Sequence, residues 1–129
     1  MIKGILLAAG QSKRLKNDNK LLKKFKNKEL ILHSFKSIQK SKINQIIIVL
    51  GYQSNEIKKL IKKNKKIKFV FNKKYKYGIS SSIKAGLKKI NKKDRGFIIL
   101  QSDMPFVKTS DINKIYKSIK RKKYLVHAL

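Results

Sequence analysis

Apolar positions along this chain alternate between short continuous runs and helical stripes. Ile2–Ala8 is an apolar run that closes in Ala-Ala-Gly and predicts a buried strand. Leu21–Phe25 and Glu29–Leu32 flank Lys26-Asn27-Lys28, which predicts a small hairpin. Ile31, Phe35 and Ile38 fall at i, i+4 and i+7 and predict a helix after it. Gln45–Leu50 (QIIIVL) is a continuous run of the buried-strand type, ended by Gly51. Ile57, Leu60 and Ile61 mark one face of a helix over residues 54–64, and Ile67–Phe71 (IKFVF) is strand-like. Ile79, Ile83, Leu87 and Ile90 form the stripe of an amphipathic helix, followed by a buried strand at Gly96–Leu100. Ile112, Ile115, Tyr116 and Ile119 predict a last helix, with Thr109, Ser110 or Asp111 as its cap. Tyr124–Leu129 reads as the start of a further strand.

Strands and helices in strict alternation predict an α/β fold: a Rossmann-like, mostly parallel sheet with helices on both faces. The 129 residues suit one domain and contain no internal repeat or linker. In such sheets ligands bind outside the carboxyl ends of the strands, near the point where strand order reverses. Candidate chemistry is therefore sought after the strands.

Composition narrows the function classes. There is no cysteine, which excludes a disulfide framework, a thiolate metal site and a cysteine nucleophile. No apolar run approaches the roughly 18 residues that span a membrane, so no membrane partner is expected and the cytoplasm is the default location. The formal charge of +29 invites a polyanion, because neutralising phosphates releases counterions. Yet arginine, the usual fork for phosphates and bases, occurs only at Arg14, Arg95 and Arg121, and the lysines are spread along the chain. Lysine, asparagine and isoleucine, all with A/T-rich codons, are abundant together. Nucleic acid is therefore not the expected partner, while steering of small anions such as nucleotides is.

Three clusters could carry chemistry. The first is Leu7-Ala8-Ala9-Gly10-Gln11-Ser12-Lys13-Arg14, continuing to Lys20. Small side chains after a strand let backbone N–H groups approach a phosphate, and Arg14 and Lys20 supply positive charge. It is neither a Walker A loop nor GxGxxG, and an ordinary tight turn would look similar. The second is Gln101-Ser102-Asp103-Met104-Pro105, directly after a strand. Asp103 is one of only six acidic residues, and a carboxylate there suits Mg2+, which takes one or two carboxylates plus phosphate oxygens. The alternative is a turn cap or a lysine partner. The third comprises Asn72, Tyr75, Gly78 and Ser80-Ser81-Ser82, where hydroxyls and free N–H groups meet an anion or simply cap a helix. His33 and His127 are too far apart in sequence to argue a metal pair, and His33 reads as structural.

These clusters, in this order, resemble the MobA-like nucleotidyltransferase family, and within it the molybdenum cofactor (molybdopterin) cytidylyltransferases. The opening signature of that family, LAAG-x-S-x-R-M-G followed by a lysine, is similar to Leu7-Ala8-Ala9-Gly10-Gln11-Ser12-Lys13-Arg14-Leu15-Lys16 and then Lys20. N-x-x-x-x-x-G-x-x-x-S-x-x-x-G-L is met by Asn72, Gly78, Ser82, Gly86 and Leu87, and G-D-M-P is approached by Ser102-Asp103-Met104-Pro105. The resemblance runs along essentially the whole chain.

What the resemblance implies is Mg2+-dependent transfer of a nucleotidyl group from a nucleoside triphosphate to a phosphate acceptor, with pyrophosphate released. The catalytic set would be Arg14, Lys20 and Asp103, with Asp103 on the metal. The loop at 7–14 would wrap the triphosphate, and Asn72, Gly78 and Ser82 would lie near the nucleoside. Ala-Ala-Gly and Asp-Met-Pro resemble the cytidylyl branch, which makes CTP the expected donor over GTP. The implied acceptor is molybdopterin cofactor, with a molybdoenzyme or its chaperone as a further partner. Related enzymes of the fold act on sugar or isoprenoid phosphates, so a sugar or alcohol phosphate is the alternative acceptor. The chain departs from the family at Leu15, Lys16 and Ser102, where the signatures carry Met, Gly and Gly. Family domains also continue for several dozen residues, so this single domain over 1–129 is expected to hold the nucleotide half and to lack much of the acceptor half. Two other readings stay open: an inactive remnant, and a polycationic nucleic-acid-binding module, which would need its lysines gathered on one face.

Overall fold

The computed structural model describes residues 1–10 and 19–121. The strands are β1 (Ile2–Ala8), β2 (Lys24–Phe25), β3 (Lys28–Glu29), β4 (Gln45–Leu50), β5 (Ile67–Phe71) and β6 (Gly96–Gln101). The helices are α1 (Leu30–Gln39), α2 (Ser54–Leu60), α3 (Ile79–Leu87) and α4 (Thr109–Arg121). Short 3-10 turns occupy Lys20–Leu22 and Tyr75–Tyr77. No helix among the described residues is long and apolar enough to cross a membrane.

The main sheet has the order β5-β4-β1-β6, and every pairing in it is parallel. Leu6 sits between Ile48 of β4 and Leu100 of β6, and Leu50 pairs with Phe71 of β5. β1 and β4 are central and must be apolar on both faces, which is why their sequences are continuous rather than alternating. On one face Leu6, Ile46, Ile48 and Leu100 pack with Ile31, Phe35 and Ile38 of α1, Ile57 of α2 and Ile112 of α4. On the other, Ile5, Leu7, Ile47 and Val49 pack with Ile83 and Leu87 of α3.

The chain thus moves outward from β1 to β4 to β5 under α1 and α2. It then returns across the opposite face through α3 to β6, on the far side of β1. Strand order reverses between β1 and β6, so the crevice of such a sheet lies at their carboxyl ends.

Several boundaries differ from expectation. The hairpin forms, but its arms are only two residues long, and Lys26 and Asn27 both take the left-handed backbone that its tight turn needs. Leu30 therefore begins α1 rather than ending a strand. Helix α2 stops at Leu60 because Ile61 is extended (φ −103°, ψ 117°) yet still buried. Helix α3 ends at Leu87, and Ile90 packs against the core from beyond it. Both helices read longer in sequence because a core-packed residue after the last turn continues the stripe. The strand expected at 124–129, and His127 with it, lies outside the described residues.

Candidate functional site

The carboxyl ends of β1 and β6 are tied directly. The backbone N–H of Ser102 donates to the Leu7 carbonyl at 3.1 Å, and the Ser102 hydroxyl donates to the same oxygen at 2.6 Å. The Ser102 carbonyl accepts in turn from Ser34 of α1 at 2.8 Å. Ser102 is buried and has no room to move, so Asp103, the next residue, is launched from a fixed point beside the end of β1.

Asp103 meets Lys20. The ammonium of Lys20 lies 3.9 Å from a carboxylate oxygen of Asp103, with side chains 58% and 39% exposed. Lys20 opens the 3-10 turn, which is capped by Asn19: its Oδ1 accepts from the Leu21 N–H at 3.0 Å, and its Nδ2 reaches the Tyr52 carbonyl at 3.4 Å. Asn19 is 4% exposed. Its role was not apparent in the sequence, although a residue two before a predicted strand that can both accept and donate was a signal for it.

Leu7, Ala8 and Ala9 are buried, and Gly10 is exposed as the chain leaves the sheet. The Ala9 carbonyl accepts from the Tyr52 N–H, fastening the β1 end to the β4 end. Gly51 stands between them, where a Cβ would come within 2.5 Å of Tyr75 Cβ and 2.9 Å of Ala9 Cβ. Glycine is what lets the ends of β1 and β4 and the 3-10 turn at Tyr75–Tyr77 meet. Ser12 and Arg14 lie outside the described residues.

The third cluster reaches the same end of the sheet through Tyr75, which packs against Ala9 and stands 6.3 Å from the Tyr52 ring. Asn72 follows β5 and is buried. Its Nδ2 donates to the hydroxyls of Ser81 (2.9 Å) and Ser82 (3.0 Å), and its Oδ1 accepts from the Lys74 N–H (2.9 Å). Asn72 and Ser82 are therefore bonded to each other and shape the 73–81 loop from beneath. Gly78 is exposed at φ 102°, a backbone that favours glycine, and nothing lies within 4 Å of where its Cβ would be. Tyr77 beside it is 79% exposed. The surface available to a ligand here is thus the backbone around Gly78 and the Tyr77 ring.

Among the described residues no group of three or more His, Cys, Asp and Glu side chains could hold a metal. That excludes a protein-only cage there. Asp103 is a single exposed carboxylate, and a Mg2+ ion held by one carboxylate would take its other ligands from waters and phosphates. His33 is structural: its Nε2 lies 2.6 Å from the Phe25 carbonyl, and its ring stands edge-on to Phe25.

The chain is similar to several known proteins. It is 28% identical over 120 residues to the bifunctional protein GlmU of Caldicellulosiruptor saccharolyticus, covering 92% of this chain and 25% of that protein. It is 31% identical over 129 residues to the 2-C-methyl-D-erythritol 4-phosphate cytidylyltransferase of Lachnoclostridium phytofermentans, covering 95% and 53% respectively. Its fold superposes on the 4-diphosphocytidyl-2C-methyl-D-erythritol synthase of Anaerococcus prevotii with a TM-score of 0.75 at 19% identity, over 93% of this chain and 51% of that one. The chain therefore spans about a quarter of the first protein and about half of the other two. A single family model accounts for residues 4–129, and on that match, together with the sheet order and the paired ends of β1 and β6, the chain belongs to the MobA-like NTP transferase domain family.

Proposed function

We propose that the chain binds CTP with Mg2+ at the carboxyl ends of β1 and β6 and transfers its cytidylyl group to a phosphate acceptor. The observation that carries this reading is the approach of Lys20 and Asp103 to 3.9 Å beside the Leu7–Ser102 junction. An exposed pair at that distance contributes little to stability, so exchanging it for ligand contacts costs little. Asp103 would offer one carboxylate to the metal, and Lys20 would face the phosphate oxygens with Arg14. The metal, when bound, would neutralise charge on the phosphates.

The chemistry asks little else of the protein. An oxygen of the acceptor phosphate attacks the α-phosphorus of CTP, a P–O bond forms, and the bond to the bridging oxygen of pyrophosphate breaks. The acceptor is already ionised, so no general base is needed. Alignment and charge neutralisation are sufficient kinds of help. The backbone amides of 8–10 would hold the triphosphate, and the Gly78 backbone with Asn72 and Ser82 beneath it would border the nucleoside.

Two observations support CTP: the Ala-Ala-Gly and Asp-Met-Pro forms of the signatures, and the relative named as a cytidylyltransferase. For the acceptor, the signatures favour molybdopterin cofactor. The named relative favours a second reading, a polyol or sugar phosphate such as 2-C-methyl-D-erythritol 4-phosphate. Pyrophosphate release, measured with CTP, GTP and UTP against both acceptors in the presence of Mg2+, tests the proposal. Release with CTP and one phosphate acceptor supports it. Failure to bind CTP at all contradicts it.

A further inference from the structure

Exposed lysines stand at both ends of the sheet, with Lys20, Lys23, Lys24, Lys26, Lys73, Lys74, Lys76 and Lys108 at the carboxyl end, but among the described residues only the amino end carries its cations without an exposed carboxylate. In a parallel sheet every helix-to-strand connection returns to the amino end, the end opposite the candidate site. Here the α1–β4 connection brings exposed Lys40 and Lys42, and the α2–β5 connection brings exposed Lys62, Lys63 and Lys65. The α3–β6 connection adds four exposed lysines, Lys92 and Lys93 among them, and Arg95. The end of α4 lies on the same rim, because the Arg95 guanidinium donates to the Lys120 carbonyl at 2.8 Å.

The carboxylates, unlike the lysines, are sorted between the ends. Glu56 and Asp111 lie in the first turns of α2 and α4, and Asp103 follows β6, all at the carboxyl end. Among the described residues the amino-end rim holds only Asp94, and its side chain is 5% exposed and bonded to Lys3 at 3.0 Å. None of its charge remains for the surface lysines. Codon bias accounts for many lysines but not for this sorting. Helix dipoles account for cations within a last turn, but the effect fades beyond it, and Lys62, Lys63, Lys65, Lys92 and Lys93 all lie past the helix ends. A rim of like charges repels itself, and an anionic partner relieves that repulsion.

We infer that the amino-end rim of the sheet binds the phosphate backbone of nucleic acid, separately from the nucleotide site. Lysines are point charges rather than forks, so binding is independent of base sequence and steeply salt-dependent. A lipid surface is the poorer match. Phe71, Tyr77, Ile79 and Phe106, four of the six exposed large apolar side chains, lie at the other end of the sheet, leaving Met1 and Phe97 near this rim.

The test is fluorescence anisotropy of a labelled 20-base-pair DNA duplex titrated with the full chain over a salt series. Two variants of equal charge are compared, both checked for an unchanged thermal midpoint. The rim variant carries Lys62→Gln, Lys63→Gln, Lys65→Gln and Lys92→Gln. The control carries Lys24→Gln, Lys73→Gln, Lys76→Gln and Lys108→Gln, all exposed at the carboxyl end of the sheet. The rim variant should lose about tenfold or more in affinity, and its slope of log affinity against log salt should be shallower by about 3 to 4. The control should stay within about twofold, and excess CTP with Mg2+ should not displace the duplex. Equal losses in both variants, displacement by CTP, absence of duplex binding, or tighter binding to phosphatidylserine vesicles would each overturn the inference.

Discussion

The amide and the hydroxyl of Ser102 share one acceptor, the carbonyl of Leu7, at 3.1 and 2.6 Å, across 95 residues of sequence. The two hydrogen bonds make Ser102 the joint between the two strands that flank the reversal of the sheet. Ser102→Ala removes the hydroxyl bond and leaves the amide bond in place. Stability should fall by about 1 kcal/mol while CTP affinity stays within a few-fold. Urea titration with an unchanged m-value, alongside CTP calorimetry, checks both halves; a large loss of affinity with no loss of stability would show that the hydroxyl serves the ligand instead.

Lys20 is held by a capped turn and faces Asp103. Charge-assisted contacts to phosphate are worth about 1.5–3 kcal/mol, so Lys20→Ala should weaken CTP binding by roughly 10- to 100-fold. Cytidine, which lacks phosphates, should bind wild type and variant alike. If both ligands weaken equally, the lysine acts by holding the fold and not by meeting the phosphates.

Gly51 sits where the ends of β1 and β4 meet the 3-10 turn at Tyr75–Tyr77. Ala at this position would press its Cβ against the Cβ atoms of Tyr75 and Ala9, backbone-proximal atoms that cannot swing aside. Overpacking of this kind costs about 1–3 kcal/mol. Gly51→Ala should lower the thermal midpoint, and Gly51→Ala with Tyr75→Gly should recover part of the loss if the Tyr75 contact is the cause.

Lys3 of β1 and Asp94 before β6 form a buried pair at 3.0 Å, closed by the Asn91 N–H on the same carboxylate oxygen and by the Lys89 carbonyl on the ammonium. Burial pushes the Asp94 carboxyl up, but the Asn91 amide and the Lys3 ammonium outweigh it and hold its pKa below the ordinary value. A carboxyl depressed in the folded state binds protons more weakly there than when unfolded. Its contribution is therefore present above the unfolded carboxyl range and is lost as pH falls through the folded value, so stability should drop below about pH 4. Asp94→Asn should destabilise the chain at pH 7 and flatten that acid-side fall. Parallel stability curves for the two proteins from pH 7 to pH 3 would remove Asp94 from the account.

Much of the fold was legible because β1 and β4 are buried on both faces and so read as unbroken apolar runs, while Ile112, Ile115 and Ile119 keep one helical stripe. The ends of α2 and α3 were not, because Ile61 stays buried and Ile90 stays packed on the core after their helices stop, and core contact is what periodicity detects. Of the site, the small-residue turn at Leu7–Gly10 and the Asp103 loop were visible as polar interruptions after strands. The work of Asn72 was not: its amide serves Ser81, Ser82 and Lys74, contacts that depend on a loop folding back rather than on spacing. Lys3 with Asp94 was equally hidden, since a lysine in an apolar run declares its burial but not its partner.

Calorimetric titration of CTP with and without Mg2+, on wild type and Asp103→Ala, tests the central claim most directly. The account predicts that Mg2+ strengthens CTP binding to wild type by about tenfold or more, and that Asp103→Ala keeps metal-free affinity but loses the gain from Mg2+. An identical gain in the variant would mean that Asp103 does not hold the metal, and the site at the ends of β1 and β6 would lose its chemistry.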